Sequence, residues 1–364
     1  MVDFKHEITS KQLLIYVLST QLGFEILRLP SIIAQKVGHD GWISVLLTLI
    51  PSSLFILIVM ALPKRYKGKI LFDINNLLYG KIIGGAINVF IILYALLTAS
   101  MVIRMYTELV YLTGLKLTPP IFISIIICIP SIILLRSGLQ AIARFSGVIL
   151  IVISFSIIYC ILNFPKMDML NLMPVGKAGF LTIFKGMGLV GFATLGFEFV
   201  PVIYPYVVDK EKALASVLLA NLVNLLFLML IVIVTTTIFG ETMLSHLVIP
   251  LLSLARIYYS EIIERTDAYF IMIWFMDLLC VLSGYIFVAI HGFNKVFNIS
   301  HKGISLISFF LIGILFSRIP QGLNDVYSYL DKLDILGYGI IIYLTFSYGF
   351  SFINKRGVER GTQG

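Results

Sequence analysis

Apolar residues in this chain come in long blocks separated by short polar breaks, not as the every-third-or-fourth stripe of a helix half in water. A helix needs about 20 predominantly apolar residues to cross about 30 Å of hydrocarbon. Blocks of that size recur along the whole length, which predicts an all-α integral membrane protein. They predict about ten transmembrane helices, at 12–33, 41–62, 82–113, 119–136, 145–163, 181–205, 213–239, 268–292, 303–318 and 335–353. The third is long enough to be tilted, and the ninth is short. Between the seventh and eighth, "LVIPLLSLARIYYSEIIERTD" carries apolar residues at helical spacing with acids on the other face. The pattern predicts an amphipathic segment over about 245–267, lying across the outer surface of the bundle.

Composition agrees. The chain is 59% hydrophobic and 13% charged, against about 25% charged in soluble domains. Cys128, Cys160 and Cys280 all fall inside apolar blocks. Their odd number and spacing suit neither a disulfide framework nor a metal site, and no cofactor is expected. The opening "MVDFKHEITSKQ" is polar and lacks the charged start and short apolar stretch of a cleaved signal peptide. A net charge of +8 reads as topology, not as affinity for nucleic acid. Lys and Arg favour the breaks on the side of the N-terminus by about two to one, with "PKRYKGK" the richest, so both termini are expected in the cytoplasm.

Two of the expected spans are interrupted. The first contains "QLGFEILRLP" and the sixth "ATLGFEFVPVIYP", each placing a glycine, a glutamate and a proline at membrane depth. Backbone polar groups freed by a broken helix are tolerated in a membrane only where they line a protein cavity. Corresponding Gly/Pro-interrupted segments in two halves point to a midplane binding site in an inverted-repeat transporter. Ten spans divide as five plus five, about 12–163 and 181–353, and each half opens with its "LGFE" span. The sixth also spells "GMGLVG", but no strand precedes it and a span follows, so it is not a dinucleotide fingerprint. No P-loop, HExxH or GxSxG pattern occurs, and no enzyme is expected.

At these residues the chain resembles known families. "FATLGFEFVPVIYPYVVDKEKA" is similar to the sixth span of the amino acid–polyamine–organocation (APC) transporter superfamily. "ITSKQLLIYVLSTQLGFEILRLPSIIAQKVGHDGWIS" resembles the opening of the B subunits of spore germinant receptors, the endospore germination permease family. The shared features are a glycine followed by Leu-Pro and a Gly-x-Asp-x-Trp turn, here Gly38, Asp40 and Trp42. "IIERTDAYFIMIWFMDLLCVLSGYIF" resembles that family's eighth span. The resemblance implies a LeuT-type fold with broken helices 1 and 6, in the inner membrane of a spore-forming bacterium. It implies two companion subunits, one partly soluble and one a lipoprotein. It also implies a small-molecule germinant, often an amino acid, whose recognition triggers germination. Glu25 departs from the small or apolar residue usual there.

In such a fold the breaks of spans one and six line the pocket, with spans three and eight facing them. Ligand-binding candidates are Gly23, Phe24 and Glu25; Thr194, Leu195, Gly196, Phe197 and Glu198; Tyr94 and Thr98, one helical turn apart; and Val281 and Tyr285, also at i, i+4. Glu25–Arg28 and Arg104–Glu108 have the spacing of intrahelical ion pairs. Glu198 and Asp277 have no such partner and are candidates for a proton or ion path. The same residues suit a second function, a secondary transporter that couples amino-acid uptake to protons.

Overall fold

The computed structural model describes residues 7–23, 25–112, 114–115, 117–257, 266–299 and 302–353. In chain order its helices are α1 (Ser10–Leu22), α2 (Glu25–Val37), α3 (Gly41–Arg65), α4 (Leu71–Leu112), α5 (Pro120–Arg136), α6 (Leu139–Phe145), α7 (Val148–Leu162), α8 (Phe180–Phe192), α9 (Val200–Ile203), α10 (Lys210–His246), α11 (Pro250–Ile257), α12 (Thr266–Val296), α13 (Lys302–Ser317) and α14 (Leu323–Ile353). Six segments are unbroken, long and apolar enough to cross a membrane, and the count reaches eight with two bent pairs. The expected fourth and ninth spans are α5, of 17 residues, and α13, of 16. Both are apolar but too short to be counted as full spans, so the expected ten is not reached on this measure. Exposed Leu and Ile along α3, α5 and α7 give the outer surface the character of a lipid-facing wall.

The bent pairs are the two expected broken spans. α1 and α2 meet at 49°, and α8 meets the Phe197–Tyr206 segment at 53°. α1 opens with Thr9 and Gln12 in a reciprocal capping box. Gly196, at φ 122°, occupies a backbone region that residues with a Cβ rarely adopt, which fixes the second break at that glycine. Further glycines end two other runs. Gly80 (φ 80°) sets a short helix apart from the rest of α4, and Gly240 (φ 66°) sets the last turns of α10 apart from its span. The segment expected to be amphipathic contains α11, whose Leu251, Leu252, Leu254 and Ala255 are buried against the bundle; its residues 258–265 lie outside the described residues.

α1 and α2 sit inside a wall made by α3, α4, α10, α12 and α14, and α8 packs on α2 and α3 with Phe180, Leu181 and Phe184 exposed. Two acids tie the chain across this bundle. Asp209, just ahead of α10, accepts from the Ser10 N–H at 2.6 Å and from the Ser10 hydroxyl. Beside it Ile8 and Val207 form a parallel backbone bridge. Asp40, just ahead of α3, accepts from the N–H groups of Gly176 (2.8 Å) and Ala178 (2.9 Å), immediately before α8. Its neighbour His39 presents one ring nitrogen to Glu241 (2.9 Å) and the other to the Pro174 carbonyl (3.0 Å). Ser10 begins the first broken span and Asp40 follows its end, so the two clasps close opposite ends of the bundle.

Candidate functional site

At the second break the backbone leaves helical geometry between Ala193 and Gly196, and its polar groups need partners. Side chains from other helices supply them. Asn224 Nδ2 on α10 donates to the Ala193 carbonyl at 3.0 Å, and Gln21 Nε2 on α1 donates to the Thr194 carbonyl at 2.9 Å. The Gly196 N–H donates to Glu198 Oε2 at 2.5 Å, and the Tyr94 hydroxyl lies 3.5 Å from the other carboxylate oxygen. The fully buried Glu198 therefore caps the break itself. A Cβ on Gly196 would stand 2.8 Å from Thr20 Oγ1, so the two broken spans touch at this glycine.

At the first break Gly23 packs against Val281, and its N–H donates to the Ser19 carbonyl at 3.2 Å. One turn on, the Arg28 guanidinium holds Glu25 through two nitrogens at 2.9 Å each. It also reaches α14, bonding Asp331 and Asp334 at 2.6 Å each, with the Tyr327 ring 5.6 Å away. Glu25, Arg28 and Asp334 are buried, whereas Asp331 is 63% exposed. This cluster ties the second half of the first broken span to the last helix.

Between the two breaks lies a cavity of about 20 Å³, lined by residues of α1, α2, α4, α8, α12 and α14. That is room for about one water molecule. Of the residues expected at a ligand site, Gly23, Glu25, Tyr94, Thr98, Leu195 and Tyr285 line it. Thr194, Gly196, Phe197, Glu198 and Val281 do not, though all five are buried. Phe24 lies outside the described residues. Asp277 is fully buried away from the cavity and accepts from Ser19 Oγ at 2.6 Å through one oxygen, while the other has no partner.

Thr20, Gln21, Phe192, Leu333 and Asp334 also line the cavity and were not expected there. Gln21 stands directly before the "LGFE" run, and Asn221 and Asn224 are polar side chains one turn apart in an apolar span. Such groups at membrane depth require partners, and that signal was available. Among the described residues no group of three or more His, Cys, Asp or Glu side chains is placed to hold a metal ion.

Two interrupted helices meeting around a small cavity, inside a scaffold of long spans, define a broken-helix membrane protein of the LeuT-type class. Two solved transporters show the same fold. One is Mhp1, a nucleobase-cation-symport-1 family transporter in a closed conformation with bromovinylhydantoin bound; its TM-score is 0.66 at 9% identity, covering 91% of this chain and 76% of Mhp1. The other is MhsT in complex with L-phenylalanine, with a TM-score of 0.62 at 12% identity, covering 93% and 88%.

The chain belongs to the spore germination protein family, whose profile matches residues 7–326, as the resemblance of its broken spans implied. It is 26% identical to spore germination protein B2 of Bacillus subtilis (strain 168) across 98% of both chains. It is 24% identical to spore germination protein GerQB of Bacillus cereus, across 86% of this chain and 87% of that one.

Proposed function

We propose that this protein is the germinant-sensing membrane subunit of a spore germinant receptor, using a transporter fold as a two-state switch. A small molecule, in the first instance an amino acid, binds between the two breaks and favours one arrangement through its greater affinity for that state. Two companion subunits, one partly soluble and one a lipoprotein, report the change. The chain lies in the inner membrane with both termini cytoplasmic, as two five-span repeats over about 12–163 and 181–353. The observation that carries this reading is the convergence of Gly23, Glu25, Tyr94, Thr98, Leu195 and Tyr285 on one cavity. The cavity holds about 20 Å³, too little for an amino acid, so binding requires the surrounding helices to part.

Thermal unfolding of the purified chain in the presence of each amino acid tests it. One ligand is expected to raise the midpoint, and Thr98→Leu, which fills the cavity from α4, is expected to abolish the rise. An unchanged rise in that variant would move the site elsewhere. The second reading, proton-coupled uptake, is favoured by Asp277, a buried carboxylate with one unpartnered oxygen. Uptake into proteoliposomes by the chain alone would select it over the sensor.

A further inference from the structure

The cavity's polar groups are unevenly matched. Two carboxylates, Glu25 and Asp334, line it, while among the described residues no lysine, arginine or histidine does. The guanidinium beside it is already committed to acids, all three Arg28 nitrogens being bonded to Glu25, Asp331 or Asp334. The backbone donor released at the second break, the Gly196 N–H, is occupied by Glu198. Gln21 has its amide nitrogen committed to the Thr194 carbonyl, which fixes the orientation of the amide and leaves Oε1 as a pure acceptor with no partner. Thr98 Oγ1, also on the cavity wall and 3% exposed as a residue, has no partner either. The rings of Phe192, Tyr94 and Tyr285 complete the lining, and aromatic faces attract cations.

We infer that the cavity recognises its ligand through a cationic amine, held by Gln21 Oε1, Thr98 Oγ1 and the Glu25/Asp334 pair, and offers a carboxylate no cationic partner among the described residues. This deepens the sensing role proposed above and rests on it. A zwitterionic amino acid then enters amine first, with its acid group directed away from the cavity. Leaving a buried charge or donor unmatched is what makes such sites discriminate strongly. The chemistry is shared by organic ammonium groups and by small inorganic cations, so both belong in the test.

Ligand-induced thermal stabilisation is measured on the full chain in nanodiscs with five sets of probes. These are the amino acids, their C-terminal amides and their deaminated acids; potassium and ammonium chloride; and neutral sugars and nucleosides. For a stabilising amino acid, the amide is expected to bind within about tenfold of its parent, and the deaminated acid at least about a hundredfold more weakly. Thr98→Val, which keeps the side-chain shape, and Asp334→Asn are each expected to weaken amine binding at least about tenfold. Should Asp334→Asn fail to fold, Thr98→Val alone carries this arm. Deaminated acids binding as well as their parents, or amides losing affinity, would overturn the inference and leave amino-acid sensing standing. Stabilisation by neutral molecules alone would overturn it while leaving a small-molecule sensor. Stabilisation by potassium or ammonium alone would replace the organic amine with an inorganic cation. A folded sample that answers to none of them removes both the inference and the sensing role.

Discussion

Arg28 places one positive charge among three carboxylates, and two of these are buried with it. Removing one partner from a buried ionic cluster strands the others in a low dielectric. Arg28→Ala is therefore expected to cost about 3–5 kcal/mol of stability, read as a large fall in the unfolding midpoint. Arg28→Met combined with Glu25→Gln and Asp334→Asn should recover most of that loss; an Arg28→Ala midpoint equal to that of the parent would show that the guanidinium holds nothing. Part of this cluster could be read from spacing. Glu25 and Arg28 share a helix face at i, i+3, as Arg104 and Glu108 do at i, i+4, and both pairs form. The reach of Arg28 to α14 could not, because pairing between distant helices leaves no local spacing. In "LDKLD" the charges of Asp331 and Asp334 look instead like a polar break before the last span. Glu198 is similar. Sequence marks it as an acid at membrane depth, but not that its carboxylate turns back to the N–H two residues earlier.

Helices were legible where the backbone itself declares an interruption. Gly23 and Gly196 stand at the two bends, and Gly80 and Gly240 fall at the expected start of the third span and end of the seventh. Hydropathy placed α5 and α13 to within a residue at each end, and both are too short to be counted as full spans. It was silent on the loop before α8, which is held by side chains of other elements. The Asp40 hold on that loop and the Asp209 clasp on Ser10 make a matched pair for experiment. Asp40→Asn is expected to raise amide exchange at Gly176 and Ala178 by at least about tenfold, leaving Ile8–Ser10 unchanged. Asp209→Asn should do the reverse, and exchange rising equally at both ends in either variant would mean general loosening. Acid provides a second handle on Asp209. Hydrogen bonds from the Ser10 hydroxyl and N–H hold its carboxyl below the usual range. A group whose folded pKa is lowered stabilises above its unfolded value and loses that contribution as pH falls through the folded one. Lowering the pH should therefore reproduce the Asp209→Asn pattern at Ile8–Ser10.

Taken as a whole, the molecule is fastened at both ends around a cavity of about 20 Å³. Each clasp joins the neighbourhood of one broken span to that of the other, so neither end opens without giving up one of them. The consequence is a waiting time. A ligand meeting this state has to wait for the protein, and collisions beyond a certain frequency gain nothing. In stopped-flow binding, the observed rate is expected to level off at high ligand concentration, at the opening rate of whichever end admits it. Simple docking to a preformed site would instead give a rate rising linearly with concentration. Asp40→Asn or Asp209→Asn, whichever loosens the entrance, should raise the plateau. A plateau moved by only one of the two would identify the face of the membrane from which the signal arrives.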